Sequence, residues 1–116
     1  MDAVAKAKFV GIPARKMRQV IDIIRGKRVE DALNILHLIQ KGAAMPVEKT
    51  LHSAVANALN IHGDAIKDPT DLYITEAYVN EGPMLKRLRM RAMGRATRIR
   101  KRTCHLQIVV GTHYEE

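Results

Sequence analysis

Apolar positions recur at helical spacing through the first half of the chain and then switch to strict alternation. Residues 6–12 (Lys-Ala-Lys-Phe-Val-Gly-Ile) read as a short strand, after which Pro13 opens a helix, as suits its fixed φ and missing donor. Met17, Val20, Ile21 and Ile24 fall on one face of that helix and Arg15, Arg18, Asp22 and Arg25 on the other, and Gly26 stops it. A second helix is expected from Val29 to Gln40, with Val29, Ala32, Leu33, Leu36 and Ile39 on one side and Lys41-Gly42 as its break. The third and longest runs from Ala43 to His62. Pro46 is tolerated in its first turn, and its stripe is Val47, Leu51, Ala54, Val55, Ala58 and Leu59. The run Ser53-Ala54-Val55-Ala56-Asn57-Ala58 is small on nearly every face, which suits close packing against neighbours.

Beyond a polar loop from Gly63 to Thr70 the period falls to two. Leu72, Ile74 and Tyr78 alternate with Tyr73, Thr75 and Val79, and Leu106, Ile108 and Val110 alternate again near the end. Both segments read as strands.

Charge changes the meaning of what lies between them. Residues 84–103 carry nine of the 20 Lys and Arg and none of the 12 Asp and Glu, leaving eleven bases against twelve acids elsewhere. The whole net charge of +8 therefore belongs to this stretch. An excess so localised on a near-neutral domain points to a polyanion, and nucleic acid is the first candidate.

The stretch reads as an antiparallel hairpin over residues 82–104, with its tip at Arg91-Ala92-Met93-Gly94-Arg95 and Gly94 free to take positive φ. Centred near Met93, it opposes Lys86 to Arg100, Leu88 to Arg98 and Tyr78 to Ile108. One face would carry Lys86, Arg98, Arg100 and Arg102, the other Arg87, Arg89, Arg91, Arg95 and Lys101. A two-stranded ribbon with no apolar face is marginal in water. Phosphates on both sides would hold it, and Arg, seven of the nine bases, binds phosphate through planar bidentate contacts. Phe9, Tyr73, Tyr78 and Tyr114 are the only aromatic residues and none lies in the ribbon. Contacts to the backbone of a folded RNA or a duplex therefore fit better than base stacking along a single strand.

Composition bounds the rest. A chain of 116 residues, 47% apolar, supports one domain over one modest core. No apolar run approaches the roughly 20 residues of a membrane span, and no signal-type stretch stands at the start. A single cysteine, Cys104, precludes an internal disulfide and suits a reducing compartment, cytoplasmic or organellar. The histidines lack metal-ligand spacing, and no glycine-rich phosphate loop is present. No cofactor and no small-molecule substrate are expected.

The order of several motifs adds a family. Arg15-Lys16-x-Arg18-x-Val20-x-Asp22-x-Ile24-Arg25-Gly26-Lys27 is followed by Ser53-Ala54-x-Ala56-Asn57-Ala58 and Glu81-Gly82-Pro83. Then come Lys86-Arg87, Arg91-Ala92-x-Gly94-Arg95-Ala96 and Lys101-Arg102-Thr103-Cys104-His105. In this order the chain, from about Arg15 to Val110, resembles the bacterial-type large-subunit ribosomal protein L-twenty-two family. The chain departs from the family pattern at Pro13-Ala14, where Ser-Pro is usual, and at Met90, Met93 and Cys104.

The resemblance implies an α+β fold: three helices packed on a small three-stranded antiparallel sheet, with a long protruding basic β-hairpin. It implies a non-enzymatic constituent of the large ribosomal subunit, a monomer there, bound to folded ribosomal RNA and to neighbouring ribosomal proteins. The RNA-binding residues would be Arg15, Lys16, Arg18, Arg25, Lys27, Lys86, Arg87, Arg89, Arg98, Arg100, Lys101, Arg102 and His105. The tip, Arg91 to Arg95, would line the exit tunnel and meet the nascent peptide. Two other classes remain open on the residues alone. One is a β-ribbon DNA binder, which would be a dimer with one ribbon per half-site. The other is a hydrolase using Asp22, His52 or His105, for which no supporting motif is assembled.

Overall fold

The computed structural model describes residues 2–62, 72–90 and 96–111, with the backbone alone for Asp2, His62, 85–90 and 96–101. Strand β1 is Asp2–Val10, followed by helices α1 (Ala14–Ile24), α2 (Val29–Leu38) and α3 (Ala44–His62). Strands β2 (Tyr73–Glu81), β3 (Leu85–Met90), β4 (Ala96–Lys101) and β5 (Cys104–Gly111) complete the order. The fold is α+β, and β5 sits at the centre of a three-stranded antiparallel sheet ordered β1-β5-β2. β3 and β4 form a separate antiparallel pair.

The helical stripes become the core. Met17, Val20, Ile21 and Ile24 of α1 are fully buried beside Val47, Leu51 and Ala54 of α3 and Ile74, Leu106, Ile108 and Val110 of the sheet. In β1, Ala3 and Ala5 are buried while Val4 and Lys6 are exposed, so alanine faces the helices. Small residues on both sides let α3 lie close on β1. Asn57 Nδ2 donates to Val4 O at 2.9 Å across that contact. Leu59, expected in the stripe, is instead 37% exposed.

Three irregularities set the registers. In β2, Thr75 is an extra residue between the pairs Ile74↔Val110 and Glu76↔Val109, and its hydroxyl donates to Val109 O at 3.2 Å. The bulge changes which alternate residues face inward: Leu72 and Ile74 are buried before it, Ala77 and Val79 after it. Tyr78, grouped by alternation with Leu72 and Ile74, is therefore exposed. In β1, Lys8 and Phe9 together oppose His105, between the pairs Ala7↔Leu106 and Val10↔Cys104.

The third irregularity joins the sheet to the ribbon. Three residues (Gly82, Pro83, Met84) leave β2, but only two (Arg102, Thr103) enter β5. The β3–β4 ladder pairs Lys86 with Arg100 and Leu88 with Arg98, the register of a hairpin centred near Met93. The extra residue shifts the sheet by one, so Tyr78 pairs with Gln107 and not with Ile108. Gly82 N donates to Thr103 O at 2.9 Å, and Thr103 Oγ1 donates to Pro83 O at 2.7 Å. The chain measures 64 × 26 × 22 Å, and its radius of gyration of 17.2 Å exceeds the roughly 13 Å of a compact chain this long. The expected tip, Arg91 to Arg95, and the loop from Gly63 to Thr70 fall outside the described residues.

Candidate nucleic-acid interface

The ladder register makes the ribbon's electrostatics explicit. Lys86 stands directly opposite Arg100, a like-charge pair that destabilises a sheet unless a counter-charge intervenes. Arg87 pairs with Ile99, Arg89 with Thr97 and Leu85 with Lys101, so bases recur at successive rungs on both strands. Six rungs span about 20 Å.

At the ribbon's root, α1 brings a second set of cations to the same place. Pro13 is the N-cap of α1 and supplies no side-chain cap; no acid lies in the first turn. The helix therefore presents uncapped N–H groups and the positive end of its dipole. A cleft of about 220 Å³ opens there, between Pro13-Ala14-Arg15 on one side and Glu81, Gly82, Met84, Arg102 and Thr103 on the other. Arg15 and Arg102, far apart in sequence and both exposed, thus share one recess. Lys16 lines a neighbouring cleft with Gln19 and Lys41, and Lys41 Nζ donates to Gln19 Oε1 at 3.3 Å.

Two of the expected RNA-binding arginines are exposed and also bond to carbonyls of the fold. Arg18 donates through Nε and Nη2 to Val79 O at 3.3 and 3.0 Å. Arg25 donates through Nε to Ala77 O at 3.0 Å and through Nη1 to Asp22 Oδ1 at 2.7 Å. These carbonyls lie on β2, an edge strand of the sheet, and the α1–α2 turn covers more of it. Gly26 N donates to Ile74 O, Ile74 N to Lys27 O, and Val29 N to Leu72 O. The arginine face of α1 therefore caps a sheet edge that would otherwise offer unpaired backbone groups. Lys27 sits at the opposite end of α1 from Arg15, about 16 Å along the helix. It does not join the root cluster.

His105 lies on β5 beside the root. Its Nδ1 accepts the Phe9 N–H at 3.1 Å, and the two rings meet edge to face with centroids 4.9 Å apart. Cys104, its neighbour, points the other way into the core. Burial pushes the Cys104 thiol above its ordinary value of 9.0, and the positive charge of Arg18 partly offsets this. The residues considered for hydrolysis do not assemble. Asp22 is held by Arg25, whereas His52 and His37 flank Glu48 Oε1 at 3.8 and 3.6 Å on the α2–α3 surface. Among the described residues no cluster of His, Cys, Asp and Glu is placed to hold a metal ion, and no helix is long and apolar enough to cross a membrane.

Sequence reasoning missed Phe9, Lys6 and Lys8, which with Asn80, His105 and Gln107 line a recess of about 350 Å³. Only the local pattern Lys6-x-Lys8-Phe9 hinted at them. The bulge that turns Phe9 outward depends on β5, a hundred residues away.

Comparison with known proteins adds an independent observation. Residues 5–111 match the family model described as ribosomal protein L22p/L17e. The chain is 52% identical over 115 residues to the large ribosomal subunit protein uL22 of Halothermothrix orenii, covering 99% of each. It is 55% identical over 108 residues to that of Desulfitobacterium hafniense (93% and 92% covered) and 50% over 113 to that of Bifidobacterium longum (95% and 94%).

Proposed function

The chain belongs to the ribosomal protein L22p/L17e family, whose members are structural ribosomal proteins and not enzymes, and on that premise we propose that it is a constituent of the large ribosomal subunit that binds folded large-subunit ribosomal RNA. It works inside the ribosome, in the cytoplasm of a bacterial cell, among neighbouring ribosomal proteins. The ribbon is its principal grip: Lys86, Arg87 and Arg89 on β3 and Arg98, Arg100 and Lys101 on β4 contact phosphates on both sides. Arg15, Lys16 and Arg102 extend the contact around the ribbon's root, where the dipole of α1 adds to their charge. Arg18, Arg25 and Lys27 contribute at most secondary contacts. The tip, Arg91 to Arg95, borders the exit tunnel and meets the nascent peptide.

One observation carries this reading. The β3–β4 ladder sets Lys86 against Arg100 and repeats bases along both arms, a register that a polyanion stabilises and water alone does not. The elongation of the chain to 64 Å supports a ribbon that stands off the domain.

Replacing Arg98, Arg100 and Arg102 with alanine tests it. The slope of log K against log salt for binding to large-subunit ribosomal RNA should become shallower by about 2–3, each of the three lost phosphate contacts accounting for roughly 0.7–0.9. The thermal midpoint should hardly move. An unchanged slope, or loss of the fold, would overturn the assignment.

A further inference from the structure

Phe9 is hard to account for by the needs of the fold. Its φ is +57°, in the left-handed region, and among the described residues it is the one non-glycine there. Its side chain is 64% exposed, so it recovers little from burial. A glycine at this bulge would relieve the backbone without emptying any core position. The structure nevertheless holds the residue firmly: the backbone N–H is tied to His105 Nδ1 and the ring meets the His105 imidazole edge to face. That contact leaves at least one face of the phenyl ring open. Lys6 and Lys8 precede it on β1 and line the same recess, to which Asn80 and Gln107 bring amide donors and acceptors.

We propose that Phe9 is a stacking platform for a single unpaired base of the bound RNA. Lys6 and Lys8 attract the phosphates on either side of that base, and Asn80 and Gln107 face its edge. The inference rests on the RNA-binding reading above and adds a base contact to an interface otherwise made of backbone contacts. An exposed aromatic ring, a fixed orientation and two adjacent cations are the components from which base-stacking sites are built. An apolar side chain of a neighbouring protein would use the ring but would leave the two lysines without a counter-charge.

The full chain lacks tryptophan, so Phe9→Trp provides a single reporter at the site. Single-stranded oligoadenylate RNA should quench its emission, and the same strand paired with oligouridylate should not. In parallel, Phe9→Gly should bind the single strand about tenfold more weakly than the unmodified chain. Its thermal midpoint should be unchanged or higher. Absence of quenching, equal quenching by the duplex, or undiminished binding by Phe9→Gly would each overturn the proposal. A lowered midpoint with unchanged binding would make the ring a structural element, which also overturns it. The Arg98, Arg100 and Arg102 variant reports separately, because its salt slope reads the ribbon and not the stack. A normal quench with an unchanged slope would fault the ribbon reading alone.

Discussion

Gly82 is where the ribbon joins the sheet, and adding one methyl group there should be felt. A Cβ at this position would lie 2.6 Å from Thr103 Oγ1 and 3.3 Å from the His105 ring atoms Cε1 and Nε2. The backbone of Gly82 is not left-handed, so the cost is one of contact and not of φ. Thr103 is 9% exposed, and its hydroxyl is bound to Pro83 O at 2.7 Å. It can escape the new methyl group by rotating, which gives up that hydrogen bond at about 1 kcal/mol. Alternatively the root shifts, at a crowding cost of about 1–3 kcal/mol. Restricting the unfolded chain returns about 0.4–1 kcal/mol. Gly82→Ala should therefore destabilise by about 1–2 kcal/mol, or about 4–8 °C in a chain of this size. Thr103→Ala alone removes the hydrogen bond and should cost about 1–2 kcal/mol. In the double variant the methyl group occupies the space the hydroxyl leaves, so the combined cost should fall short of the sum by about 1 kcal/mol. Urea unfolding of the four proteins measures this. Costs that add within about 0.3 kcal/mol would refute the contact as the cause.

Three further outcomes follow from particular contacts. Arg18→Ala should cost about 1 kcal/mol, because a partly buried, charge-assisted pair of hydrogen bonds to Val79 O is lost and water only partly replaces it; urea unfolding checks it, and no loss would show that β2 needs no cap. The raised Cys104 thiol favours the protonated folded state, so its contribution is complete below the ordinary value of 9.0 and is lost as pH rises through the folded value. Stability should thus decline above about pH 9 more steeply in the unmodified chain than in Cys104→Ala, as thermal midpoints across pH would show. Deleting Ala92-Met93-Gly94 should leave affinity for ribosomal RNA nearly intact while changing how nascent peptides pass the tunnel, and a large loss of affinity would contradict the tip's assignment.

The sequence disclosed those parts of the fold that depend on local period. Met17, Val20, Ile21 and Ile24 are spaced for one helix face, and all four are buried. The charge of the ribbon and the pairing of Lys86 with Arg100 follow from symmetry about Met93. The exceptions arise where one residue more or less is decided by contacts elsewhere. Thr75 is extra because its hydroxyl finds Val109 O, and Tyr78 is turned outward as a result. The root carries one residue more after β2 than before β5, and so Tyr78 meets Gln107. The basic face of α1 is legible in the sequence, but the bonds of Arg18 and Arg25 to Val79 O and Ala77 O are not, because β2 lies more than fifty residues later. Phe9 reads as part of a weak strand, and its outward turn depends on His105.

The central claim is that this chain is held in the large ribosomal subunit chiefly by a ribbon gripping RNA on both sides. Sedimentation of a cell lysate before and after a high-salt wash tests it most directly. The protein should migrate with the large subunit and stay there through the wash, because contacts on both faces of the ribbon are not released one at a time. Protein found in free fractions, or stripped at modest salt, would contradict the account.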